Sequence, residues 1–200
     1  MLDTKRDFFK PLERAVGKVF SSFPLKPNHY TLLSFLFALV AFYFFLKTEV
    51  LLALLFFLVA SALDFVDGAV ARQKNLATKF GAYLDTIVDR FVEGVLLLGI
   101  LFLPLPVIFL PNYIWIFLIL FGSFMTTYAK AAAKEKELVK EELKGGLLAR
   151  GERIILILVS LGVGYFFGFH LTVYLLILIA FLTNFTALQR IYFAFQKRQN

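Results

Sequence analysis

Between Glu93 and Lys130 the chain carries no charged residue. A stretch that long and that apolar belongs in a bilayer, which a helix crosses with about 20 apolar residues. Similar runs recur along the chain, which is 60% hydrophobic, contains 26 Phe and has a mean hydropathy of +0.80. Those values describe an all-α integral membrane protein in one domain spanning residues 1–200, with no soluble domain left over. Six transmembrane helices are predicted. They run from about Tyr30 to Leu46, from Leu51 to beyond Arg72, from Thr78 to Leu103, from after Pro111 to Lys134, from near Leu147, and from near Leu171 onward.

Residues 1–27 differ in kind. Lys5, Arg6, Lys10, Arg14, Lys18 and Lys26 alternate with Phe8, Phe9, Leu12, Val16, Val19 and Phe20, and the apolar set recurs at helical spacing. The pattern predicts an amphipathic helix lying in the interface beside anionic lipid. A solvated basic tail is the alternative. There is no apolar core followed by a small-residue cleavage site, so a signal peptide is excluded. Pro24 and Pro27 end the segment, and Asn28 or Thr31 begins or caps the next helix. Residues 28–200 then form the six-helix bundle.

The net charge of +7 has a membrane pattern rather than a nucleic-acid one. Lys and Arg gather at the N-terminus, in the 72–79 turn, in the 130–153 segment and at the C-terminal end, while the opposite loops offer only Lys47. The positive-inside rule puts both termini in the cytoplasm. The chain has no Cys, which excludes a disulfide framework. Its only histidines are His29 and His170, a poor set for zinc.

Against this apolar background stands a group of carboxylates: Asp64, Asp67, Asp85 and Asp89. Ionised groups at that depth need partners. At 100° per residue, Asp64, Asp67, Gly68, Ala71 and Arg72 share one face of the second span, and Gly81, Asp85 and Asp89 form a stripe on the third. Two facing stripes make one acidic pocket, whose all-oxygen ligands suit a hard ion such as Mg2+ or Mn2+. Gly68 and Gly81 leave room beside it. Arg72 can grip a phosphate with two donors, and Asp89, farthest along its stripe, is free to act as general base. The competing reading has the carboxylates only pairing with Arg72 and Arg90, but buried ion pairs rarely stabilise a fold and do not require this spacing.

The complete pattern D-x-x-D-G-x-x-A-R-x8-G-x-x-x-D-x-x-x-D, from Asp64 to Asp89, resembles the signature of the CDP-alcohol phosphotransferases. The resemblance implies transfer of a lipid-phosphate unit from a CDP-activated donor to an alcohol, with release of CMP. It implies that Asp64, Asp67 and Asp85 bind two metal ions, that Asp89 helps hold them and deprotonates the acceptor hydroxyl, and that Gly68, Arg72 and Thr78 join Asp64 and Asp85 around the CDP. It also suggests a homodimer. A weaker match, P-N-x-x-T at Pro27, Asn28 and Thr31, falls near the nucleotide site in this family; helix-start chemistry accounts for it equally.

Lys130, Arg150, Arg153 and Arg190 each adjoin an apolar run. Converging, they would bind a second anion, a phosphorylated acceptor; otherwise they snorkel to lipid phosphates. The segments Y-A-K at 128–130, G-G-L-L-A-R-G-E-R at 145–153 and L-Q-R at 188–190 resemble the subgroup making phosphatidylinositol phosphate in bacteria and archaetidylinositol phosphate in archaea. That likeness implies inositol 1-phosphate as acceptor, held by these four cations, with Lys134 as the alternative to Lys130. Glycerol 3-phosphate is the competing acceptor. From another class, the carboxylates would serve a cation transporter. Glu135, Lys136, Glu137, Lys140, Glu141 and Glu142 pair among themselves at helical spacing and need no further role.

Overall fold

The computed structural model describes residues 6–139 and 145–197, and all its extended elements there are helices. Lys5 of the basic segment, and Lys140, Glu141 and Glu142 of the charged loop, lie outside the described residues, as do the side chains of Phe8 and Phe9. The helices are α1 (Arg6–Phe20), α2 (Pro27–Leu46), α3 (Val50–Gln73), α4 (Lys79–Ile100), α5 (Asn112–Glu135), α6 (Arg150–Phe167) and α7 (Phe169–Lys197). They fall into two compact units, Arg6–Pro104 with α1–α4 and the residues from Leu105 onward with α5–α7.

Four helices, α2, α3, α5 and α7, are long and apolar enough to cross a membrane. The other two predicted spans carry charge: α4 holds Asp85, Asp89, Arg90 and Glu93, and α6 begins with Arg150, Glu152 and Arg153. Length and composition therefore establish a multi-pass membrane protein without fixing six spans. Along α2 the exposed residues include Leu32, Leu36, Leu39 and Tyr43, while Ser34, Ala38, Ala41 and Phe45 are buried. Large apolar side chains outside, with Ser34, Ala38 and Ala41 inside, suit a lipid-facing helix, where close backbone approach replaces hydrophobic burial as the packing force.

In the first unit α2 packs on α3 and α4. Gly99 of α4 is part of that contact, since a Cβ added there would lie 2.5 Å from Cδ2 of Phe45. Helix α1 packs on α3. Its Val16 and Phe20 join Tyr30, Val66 and Val70, and the Tyr30 hydroxyl donates to the Phe20 carbonyl at 3.1 Å. Leu12 and Val19 remain exposed. Pro27 begins α2 at its first turn, three residues before the predicted start, where its missing N–H and fixed φ cost nothing. The turn after α3 closes with Asn75 at φ 54, a left-handed conformation that Asn tolerates. Lys74 Nζ ties this turn to the α1–α2 connection through the carbonyls of Phe23 and Leu25, at 2.9 and 3.2 Å.

In the second unit α5 and α6 both pack on α7. Helix α6 starts at Arg150, later than the predicted Leu147. Gly145 and Gly146 have φ of 112 and 116, a region that favours glycine. The N–H groups of Leu147 and Leu148 donate to Gln189 Oε1 (2.9 Å) and Thr186 Oγ1 (3.0 Å) on α7, so this segment is sewn to α7 rather than wound into α6.

Gly99→Leu should force α4 away from Phe45 and destabilise the protein by about 1–3 kcal/mol, lowering its unfolding midpoint in detergent. Gly94→Ala on the same helix, with nothing within 4 Å of the added Cβ, should not. Equal midpoints for the two variants would contradict the α2–α4 packing.

Candidate active site

Helical spacing along α3 and α4 delivers the acidic cluster. Asp64, Asp67 and Asp85 each offer a carboxylate oxygen, and the three oxygens lie within 4.8 Å of one another. Asp67 is 6% exposed, and its Oδ2 accepts a 2.6 Å hydrogen bond from the Thr31 hydroxyl of α2. Three carboxylates at this distance repel one another strongly in a low dielectric. An all-oxygen set of this kind suits a hard divalent cation. Among the described residues no histidine joins this group; His29 Nδ1 accepts the Lys26 N–H at 3.1 Å. Asp89 sits one turn beyond Asp85 on α4, half-buried, and is not among the three converging carboxylates.

Beside the acids is a cavity of about 160 Å³ whose lining includes Pro27, Asn28, Thr31, Asp67, Gly68, Arg72, Thr78, Gly81 and Asp85. Asp64 faces the acidic cluster without lining the cavity. The two glycines matter sterically. A Cβ at Gly81 would lie 3.1 Å from Thr78 Oγ1 and 3.2 Å from Asn28 Oδ1, and one at Gly68 would lie 3.0 Å from Arg72 Nη2. Thr78 is the N-cap of α4 and accepts the Gly81 N–H at 2.9 Å. The helix-start residues Pro27, Asn28 and Thr31 thus belong to the wall of this cavity as well as to α2.

Two arginines pair with acids outside the converging set. Arg72 Nε donates to the Glu13 carboxylate of α1, and Arg90 Nη1 donates to Glu93 at 2.8 Å within α4. Glu13 was not legible in sequence, because it lies 59 positions from Arg72 and no spacing rule connects them.

In the second unit Arg153 and Arg190 are brought onto α5, which carries Lys130. Arg153 is 1% exposed and its Nη2 donates to Ser123 Oγ at 2.7 Å. Arg190 is 8% exposed, with Nη1 donating to the Thr126 carbonyl at 3.1 Å and Nε to the Gly145 carbonyl at 3.2 Å. Ser123, Thr126 and Lys130 follow at i, i+3 and i+7, one face of α5, and Lys130 is half-buried there. Arg150, half-buried, precedes Arg153 by one turn of α6. Arg153 and Arg190 are therefore interior groups, not snorkelling ones. Lys134 is exposed near the end of α5. Sequence alone did not single out Ser123 and Thr126, whose short hydroxyl side chains are common inside apolar helices.

Comparison with known proteins bears on both clusters. The sequence profile of the CDP-alcohol phosphatidyltransferase family matches residues 25–192. The archaetidylinositol phosphate synthase of Pyrococcus horikoshii is 35% identical over 189 residues, covering 92% of this chain and 90% of that protein. The crystal structure of the Mycobacterium tuberculosis phosphatidylinositol phosphate synthase with CDP-DAG bound superposes with a TM-score of 0.78 at 24% identity, covering 92% of this chain and 94% of that one. The same synthase in complex with manganese and citrate gives a TM-score of 0.74 at 26% identity, covering 92% and 88%.

Removing the Thr31 hydroxyl leaves Asp67 without its orienting donor. Thr31→Val should weaken Mn2+ binding, followed by the loss of free Mn2+ EPR signal, by about tenfold, and Asp67→Asn should weaken it further. Unchanged Mn2+ affinity in both variants would show that the ion binds elsewhere.

Proposed function

The chain belongs to the CDP-alcohol phosphatidyltransferase family, and from that premise we propose that it transfers a phosphatidyl or archaetidyl unit from a CDP-activated lipid to inositol 1-phosphate, releasing CMP. Membership makes it a membrane enzyme of phospholipid synthesis and replaces the cation-transport reading. The observation that carries the proposal is the convergence of Asp64, Asp67 and Asp85 within 4.8 Å beside a cavity lined by Gly68, Arg72 and Thr78.

In this reading Asp64, Asp67, Asp85 and Asp89 hold two divalent ions, Mg2+ or Mn2+, which supply charge neutralisation at the pyrophosphate of the donor. The chain's own groups do the rest. Arg72 takes a phosphate oxygen pair, and Gly68 and Gly81 keep the wall low enough for the nucleotide. Thr78 and Asp85 border the cytidine diphosphate from the start of α4. Asp89, a turn deeper, accepts the proton of the acceptor hydroxyl as its oxygen attacks the lipid-side phosphorus. The new P–O bond forms as the bond to CMP breaks, and CMP leaves with the electron pair. Lys130, Arg150, Arg153 and Arg190 hold the phosphate of the acceptor.

Likeness to an archaetidylinositol phosphate synthase supports the inositol phosphate acceptor. So does the bonding of Arg153 and Arg190 to the face of α5 that carries Ser123, Thr126 and Lys130, since a group of cations suits a phosphate. The charge distribution supports six spans, α2–α7, with both termini and the site at the cytoplasmic face. The assembly we propose is a homodimer.

Purified protein with Mg2+ and CDP-archaeol or CDP-diacylglycerol should release CMP with inositol 1-phosphate, and not with glycerol 3-phosphate or without acceptor. Asp89→Asn should lower kcat by about 10²–10⁴ while CDP affinity is kept. Release with glycerol 3-phosphate alone would overturn the acceptor, and retained turnover in Asp89→Asn would overturn its role as base.

A further inference from the structure

Arg72 reaches the nucleotide cavity from the last turn of α3, and its side chain is 48% exposed. A long, half-exposed side chain at such a place keeps most of its rotamers, and ordering it for a ligand costs conformational entropy. Here the guanidinium is already oriented. Nε, on the stem side of the fork, donates to the Glu13 carboxylate of α1, which is 19% exposed. The two terminal nitrogens lie over Gly68, at 3.0 and 3.4 Å from where its Cβ would be. Gly68 and Arg72 both line the cavity, so one end of the fork is held and the other lies at the cavity wall.

Glu13 is in turn held by the way α1 docks. One turn beyond it, on the same face of α1, Gly17 presses on α3 so closely that a Cβ would lie 2.9 Å from the Ala69 carbonyl and 3.2 Å from Gln73 Cβ. Helix α1 thus touches α3 at the turn that carries Arg72.

We infer that Glu13 is a positioning residue for the nucleotide: through Arg72 Nε it presents the terminal guanidinium nitrogens to the CDP pyrophosphate, and the docking of the interfacial helix α1 sets donor affinity. The inference rests on the proposed role of Arg72 at the pyrophosphate. Its chemistry is that of a bidentate anion contact, whose strength depends on how much orientation is fixed beforehand.

The test measures calorimetric binding of CDP, in Mg2+, to the full chain in detergent, with Mn2+ affinity in the absence of nucleotide as a second readout. Glu13→Gln should weaken CDP about tenfold and leave Mn2+ affinity unchanged, and Glu13→Asp should recover part of the loss. In an Arg72→Ala background Glu13→Gln should add nothing, because its effect passes through the missing guanidinium. Gly17→Leu, which keeps Glu13 but pushes α1 off Ala69, should give the same selective loss of CDP affinity. If Arg72→Ala weakens CDP while Glu13→Gln does not, or if Glu13→Gln weakens it equally in both backgrounds, the positioning role is wrong. If Arg72→Ala itself leaves CDP affinity unchanged, the proposed role of Arg72 falls, and the positioning role with it.

Discussion

Like charge held in low dielectric is the constraint on which the first unit depends. Asp64, Asp67 and Asp85 bring carboxylate oxygens within 4.8 Å of one another on helices surrounded by leucine and phenylalanine. At that spacing each ionised pair repels by roughly 3 kcal/mol at an effective dielectric of about 20. A fold that keeps this arrangement obtains something from it, and divalent cations are the chemistry that turns the repulsion into binding. Other features of the unit serve the same place: Thr31 orients Asp67, Asn75 turns the chain from α3 to α4, and Thr78 caps the helix that presents Asp85.

Backbone proximity does the work that hydrophobic burial does in soluble proteins. Gly17 against Ala69, and Gly99 against Phe45, set how closely α1 and α2 approach their partners, and those distances decide where Glu13 and Thr31 stand. The second unit uses a different device. Its buried guanidiniums, Arg153 and Arg190, are bonded to Ser123 and to the carbonyls of Thr126 and Gly145, which keeps charge inside at tolerable cost and fixes the planes of both forks.

Much of this was legible in the chain itself. The i, i+3, i+4 spacing from Asp64 to Arg72 and the i, i+4 spacing from Gly81 to Asp89 survive intact on α3 and α4, because a long helix translates sequence spacing directly into a face. Where the backbone leaves the helix, spacing stops being informative: Gly145 and Gly146 adopt positive φ, and α6 begins at Arg150. Contacts distant in sequence were invisible in principle, as with Glu13 and Arg72. Burial was invisible too, since a cation at the end of an apolar run looks the same whether it snorkels or, like Arg153, turns inward. The charges of α4 and α6 separate a predicted span from one that apolar length alone establishes.

We propose that ions held by Asp64, Asp67 and Asp85 meet the pyrophosphate of the donor. Electron–nuclear double resonance on the Mn2+-loaded protein with CDP measures this contact directly, through hyperfine coupling to phosphorus. That contact should give a phosphorus coupling that appears on adding CDP and is lost in Asp85→Asn. Bound Mn2+ that shows no phosphorus coupling when CDP is saturating would contradict it.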